Sequence, residues 1–125
     1  MKTVLVFGTF DLLHAGHRYL LGEARRHGDR LVVSLARDDF VRQWKAREPR
    51  HPEGERARRL RESGLVDEVR LSDAQPRSFA LVAEVRPDLI CLGHDQRELG
   101  RALRDWMRRT GTRIPLKRIG FRSMV

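Results

Sequence analysis

The sequence predicts an α/β protein, a doubly wound parallel sheet of five strands forming one domain over residues 1–125. Three observations predict it. Short runs rich in Val, Leu and Ile recur along the chain and alternate with stretches of helical period. The runs are apolar throughout, as strands must be when helices cover both faces of their sheet. Residues able to bind or react gather where the runs end, at the edge where such sheets take their ligands.

Residues 2–7 form the first strand. Residues 14–27 carry Tyr19, Leu20, Leu21 and Ala24 at helical spacing, and Gly28-Asp29 stops that helix. Residues 31–36 are a second strand and 38–44 a short helix. The polar stretch 45–52 holds Pro49 and Pro52, has no period, and reads as a loop. A helix over 53–63 and a strand over 66–71 follow, then a helix over 78–85 that ends before Pro87. Residues 88–92 are a fourth strand, 96–109 a helix and 113–118 a fifth strand. Repeated strand–helix–strand units with right-handed crossovers make the predicted fold Rossmann-like.

Composition narrows the function classes. Twenty-six Lys plus Arg against seventeen Asp plus Glu give a formal charge of +9. Arginine dominates and alternates with acids, as in Glu53-Gly54-Glu55-Arg56-Ala57-Arg58-Arg59-Leu60-Arg61-Glu62. Aromatics are only 6% of the chain, so stacking platforms for nucleic-acid bases are not expected. An Arg-rich solvated surface with some charges turned to nucleotide phosphates explains the surplus better than a nucleic-acid groove. Met1-Lys2-Thr3 runs straight into a strand, and no apolar run approaches the roughly 20 residues that span a bilayer. The single Cys91 lies inside Leu89-Ile90-Cys91-Leu92 and is read as a buried apolar residue. A cytoplasmic protein without membrane partner is expected.

The chemistry centres on Gly8-Thr9-Phe10-Asp11-Leu12-Leu13-His14-Ala15-Gly16-His17. A strand that ends in Gly-Thr and feeds a helix aims backbone N–H groups and the positive helix end at one point, where an anion can sit. His14 and His17 are one helical turn apart and share a face. Gly16 between them is expected to leave room for a flat ring to approach the backbone.

This element resembles the HxGH signature of the nucleotidyltransferase superfamily. Its longer form looks like the cytidylyltransferase branch, which includes glycerol-3-phosphate and phosphoethanolamine cytidylyltransferases and the small archaeal-type FAD synthases. The resemblance covers nearly the whole chain. It implies transfer of a nucleoside monophosphate from a nucleoside triphosphate to a phosphate-ester acceptor, with pyrophosphate leaving. Such catalysis is mostly positioning and charge stabilisation, and neither a Gly-x-Ser-x-Gly element nor a Cys-based nucleophile motif stands in the sequence.

By that resemblance His14, His17 and Lys45 are the catalytic residues, with Lys45 a mobile ammonium in its loop. Gly8, Thr9, Phe10, Gly16, Arg56, Gly93, Asp95, Arg118 and Ser123 are the nucleotide- or phosphate-binding residues. Asp11 positions either the acceptor or the turn. His94 is a candidate contact to the base or ribose. No protein metal site is expected; Mg²⁺ would arrive with ATP or CTP, held largely by substrate oxygens. In the segment 118–123 only Arg118 and Ser123 match the Arg-Thr-Glu-Gly-Ile-Ser-Thr type element of the relatives, which continue into a helix where this sequence stops at Val125. Trp44 and Trp106 are read as core or dimer packing, and a homodimer is implied.

Two acceptors compete. Ala36-Arg37-Asp38, the stretch 45–52 and Leu92-Gly93-His94-Asp95-Gln96 look closer to the archaeal-type FAD synthases, which adenylylate FMN. Val66-Asp67-Glu68-Val69 and the compact length fit a CTP-dependent glycerol-3-phosphate enzyme equally well. A non-catalytic nucleotide-binding or nucleic-acid-associated module is the third reading; His14, His17 and Lys45 together favour an enzyme.

Overall fold

Six successive pairings, from Thr3↔Arg30 to Gly8↔Leu35, join the parallel strands β1 (Thr3–Gly8) and β2 (Arg30–Leu35). They are the centre of a computed structural model that describes residues 1–75 and 77–120. The remaining elements are α1 (Ala15–Arg25), α2 (Asp38–Lys45), α3 (Glu53–Glu62), β3 (Glu68–Leu71), α4 (Ala80–Val85), β4 (Leu89–Leu92), α5 (Arg97–Thr110) and β5 (Leu116–Arg118). All pairings are parallel and the strand order is β3-β2-β1-β4-β5. The chain winds outward from β1 in one direction and returns to its other side at β4, which sets the topological switch point between those two strands.

Alternate residues of the strands feed two separate cores. Val4, Val6, Leu31, Val33 and Cys91 pack with Leu21 and Ala24 of α1 and with Ala57 and Leu60 of α3. Leu5, Val32, Ile90 and Leu92 face the other way, onto Val82 of α4 and Leu103 and Trp106 of α5. The doubly wound, five-stranded architecture is as the sequence predicts.

Element ends moved where side chains intercept the backbone. The third strand starts at Glu68 rather than 66, because the Asp67 carboxylate accepts from Leu31 N at 2.7 Å and pairs with Arg25. The fourth helix starts at Ala80 because Asp73 accepts from Ala80 N at 2.6 Å and Leu81 N at 3.0 Å, a cap from outside the helix. The fifth strand begins after Pro115, which has no N–H to donate. Trp106 is core, but Trp44 is 58% exposed and belongs to neither core cluster.

Candidate functional site

The turn after β1 is shaped by Phe10 folding back over Gly8. Phe10 adopts φ +48°, in the left-handed region, and its ring is buried. A Cβ on Gly8 would lie 2.5 Å from Phe10 Cε2, so glycine is required there. The Phe10 ring then meets the edge of His17, with centroids 5.0 Å apart, and the aromatic contact fixes the second histidine from below.

His14 is the N-cap of α1 and lies just outside the helix that the sequence extends to it. Its Nδ1 accepts from Gly16 N at 3.1 Å and from His17 N at 3.3 Å. Gly16 serves this seat: an added Cβ would stand 3.0 Å from His14 Cε1, so the space expected for a substrate ring is filled by His14 itself. His17 Nδ1 lies 2.6 Å from Leu12 O; a carbonyl only accepts, so this nitrogen carries the proton. Burial pushes the His17 pKa down, helped by neighbouring His14 and Lys45, while the Leu12 carbonyl and the Asp95 carboxylate oppose the shift.

Lys45 is the last residue of α2 and not part of a loop, because Ala46 closes the helix in the left-handed conformation. Its Nζ donates to Thr9 Oγ1 at 2.7 Å, which brings an ammonium to the end of β1. Burial and the nearby Arg47 lower its pKa, and Asp95 works in the other direction. Asp95 thus faces both His17 and Lys45 electrostatically from the β4 side.

These groups line one cleft of about 910 Å³ at the carboxyl edge of the sheet. Gly8, Thr9, Phe10, His14, Gly16, His17, Lys45, His94 and Asp95 all contribute to its wall. Gly93 does not; its N–H donates to Gln96 Oε1 at 2.8 Å. Gln96 Nε2 in turn donates to Phe7 O at 2.9 Å, so one side chain bridges β4 and β1 across the switch point. In the sequence Gln96 is read only as part of the segment after the fourth strand, with no role of its own; the signal for one was a side-chain amide three residues past a strand-ending glycine, at a helix start.

Two expected phosphate ligands take other places, and a third is not among the described residues. Arg56 is fully buried and does not line the cleft. Its guanidinium donates to Thr9 O, Ala36 O and His51 O at 2.9, 2.7 and 3.0 Å and to Asp38 Oδ1 at 2.7 Å. With those partners its charge is committed inside the protein. Arg118 is exposed at the end of β5 and absent from the wall; the next two residues, Ile119 and Gly120, line it instead. Ser123 lies outside the described residues.

Asp11 organises the turn. Buried beneath residues 46–52, it accepts from Arg50 N at 2.7 Å, His51 N at 2.9 Å and the Arg47 guanidinium at 3.2 Å. Burial raises its pKa, but those hydrogen bonds outweigh burial and hold it below the usual carboxylate value. Among the described residues no three His, Cys, Asp or Glu side chains gather to hold a metal ion, and no helix is long and apolar enough to cross a membrane.

The model of the cytidylyltransferase-like family matches residues 5–116. The chain belongs to that family. This nucleotidyltransferase is 40% identical over 118 residues to the FAD synthase of Thermococcus onnurineus, covering 94% of this chain and 79% of the relative. It is 43% identical over 122 residues to the FAD synthase of Methanothermobacter thermautotrophicus, covering 95% and 80%. Among solved structures, the lipopolysaccharide core biosynthesis protein from Thermoplasma volcanium superposes with a TM-score of 0.89 at 33% identity, over 98% of this chain and 99% of that one. The cleft of the cytidylyltransferase-like enzyme therefore lies at the switch point of a family fold.

Proposed function

We propose that this nucleotidyltransferase transfers AMP from ATP to the phosphate of FMN, forming FAD and releasing pyrophosphate. The observation that carries the acceptor is the 40% identity to a FAD synthase over 94% of the chain. A phosphate oxygen of FMN attacks the α-phosphorus of ATP while the bond to the pyrophosphate oxygen breaks, and no covalent enzyme intermediate is needed. His14 Nε2–H donates to a phosphate oxygen, since its Nδ1 is occupied as an acceptor. His17 donates from Nε2 once protonated, and Lys45 supplies a point charge beside Thr9. Mg²⁺ arriving with ATP would be held largely by substrate oxygens and would neutralise charge there. The protein works as a single domain, as a homodimer and in the cytoplasm.

The test crosses ATP and CTP with FMN and glycerol 3-phosphate, following pyrophosphate and, by chromatography, the nucleotide product. ATP with FMN should stand at least about tenfold above every other pair, and His17→Ala should lose about 100-fold or more in kcat. CMP transfer to glycerol 3-phosphate as the dominant reaction overturns the acceptor and the nucleotide together. Equal rates for the wild type and His17→Ala overturn the mechanism.

A further inference from the structure

Two aromatic side chains of the cleft are used by nothing described above. Phe40 and Trp44 are four residues apart on α2 and share one face, with ring centroids 6.3 Å apart and planes 28° from parallel. They are 37% and 58% exposed. Of the large exposed apolar residues, Met1, Leu12 and Leu71 stand outside the cleft wall, and these two stand in it. The next residue after Trp44 is Lys45, whose ammonium reaches Thr9. An aromatic surface and a phosphate-seeking charge are thus consecutive on one helix end.

His14 and His17 follow β1, which lies between β4 and β2 in the sheet. The wall after β4 carries His94, Asp95 and Gln96, with Leu99 and Ala102 of α5 beyond them; the wall after β2 and β3 carries Phe40, Trp44, Ser72 and Arg37, whose Nε donates to Ser72 O at 2.6 Å. In-line displacement at the α-phosphorus sets the attacking FMN oxygen opposite the departing pyrophosphate, and the chemistry of the cleft walls decides where each ring goes. Adenine carries donors and acceptors around its edge and suits the β4 half, where His94, Asp95 and Gln96 offer polar partners beside the apolar Leu99 and Ala102. Isoalloxazine is a wider plane with an apolar dimethylbenzene edge, and it suits two aromatic faces. We propose that Phe40 and Trp44 form the stacking wall for the isoalloxazine ring of the acceptor, making Trp44 the principal flavin-specificity residue. This rests on the FMN reading above.

The test compares wild type, Trp44→Leu, Trp44→Phe and Phe40→Leu. Flavin fluorescence is followed while protein is added to FMN with α,β-methylene-ATP, which cannot release pyrophosphate. Wild type should quench the flavin, because an indole stacked on isoalloxazine quenches it, and Trp44→Leu should not. In turnover, Trp44→Leu should raise KM for FMN about tenfold and KM for ATP less than twofold, with Trp44→Phe recovering most of the loss. Phe40→Leu should raise KM for FMN in the same direction and by less. A Trp44→Leu variant that forms FAD with an unchanged KM for FMN overturns this inference alone. So does a rise that falls on KM for ATP, or a dimer weakened in sedimentation with KM for FMN unmoved. A wild type that forms no FAD overturns the FMN reading and this assignment with it.

Discussion

His14 and His17 stack with ring centroids 3.7 Å apart and planes 17° from parallel, yet their hydrogen bonds put the proton on opposite nitrogens. His14 presents an Nε2–H to the cleft while neutral. His17 presents a lone pair and becomes a donor there only as imidazolium.

Triphosphate binding should therefore take up a proton. His17 titrates below its ordinary value in the free enzyme, chiefly through burial, and an adjacent phosphate raises it. Calorimetric titration with ATP near pH 7.5 in buffers of different ionisation enthalpy should give an uptake between zero and one proton. His17→Asn should remove it. The affinity should fall as pH rises through the bound-state pKa; zero uptake in wild type contradicts the tautomer assignment. In the free protein the sign is opposite for stability: a depressed folded pKa leaves the unfolded chain holding more protons, so stability is full above the ordinary histidine value and declines as pH falls through the folded one.

Arg56 should behave as a structural residue. Arg56→Met leaves Asp38 unpaired and three carbonyls without their donor, at a cost of about 3–5 kcal/mol. Arg56→Lys should recover only part, because an ammonium cannot span the fork. Urea unfolding should register both losses, while KM for ATP, measured where each variant stays folded, should change less than about threefold. A rise in KM with stability intact would return Arg56 to the phosphate site.

Asp11 should control the order of residues 46–52. Asp11→Ala removes the acceptor of the Arg50 and His51 amides and should cost about 1–3 kcal/mol. Hydrogen exchange at these two amides should accelerate well beyond that of the β1 amides. Because hydrogen bonding holds the folded carboxyl below its usual value, its contribution is complete above that value and is lost as pH falls through the lower one. The acid limb of the wild-type stability curve should flatten in Asp11→Ala.

The two turn glycines should separate stability from catalysis. Gly8→Ala sets a Cβ against the Phe10 ring and should destabilise by about 1–3 kcal/mol as an overpacked site. Gly16→Ala presses more gently on His14 at an exposed position and should displace the imidazole instead. Its kcat should fall roughly 10- to 100-fold with thermal stability nearly unchanged.

Cys91 should be inert in the native protein. Burial pushes its thiol up to about 11, and the thiolate is the reactive form. Ellman's reagent should label it in denaturant and leave it untouched for hours under native conditions.

The sheet, its two-sided helices and the strand-end turn were legible because they follow from hydrophobic period and glycine placement, which are local. The seats of His14, His17 and Thr9 were legible for the same reason. Arg56 was misjudged because its partners come from Thr9, Ala36, Asp38 and His51, and nothing near position 56 announces them. The same holds for Asp11 under residues 46–52. Trp44 was read as packing on the strength of an amphipathic helix, yet the period cannot tell a face turned to a core from one turned to a cleft. Arg118 is the exposed last residue of β5, and the chain reaches the wall only with Ile119 and Gly120 beyond the strand, a bend that no local pattern marks.

The Arg56 guanidinium has a bearing on how the protein folds. Its acceptors belong to the turn after β1, the end of β2, the start of α2 and the chain entering α3. None of these segments satisfies it alone, and a half-assembled set would strand a buried cation. The arrangement acts as an interlock: the four segments become native together or not at all. A nascent molecule should therefore acquire the turn after β1, the end of β2, the start of α2 and the entry to α3 in one step, so that the floor of the cleft is completed late rather than piece by piece.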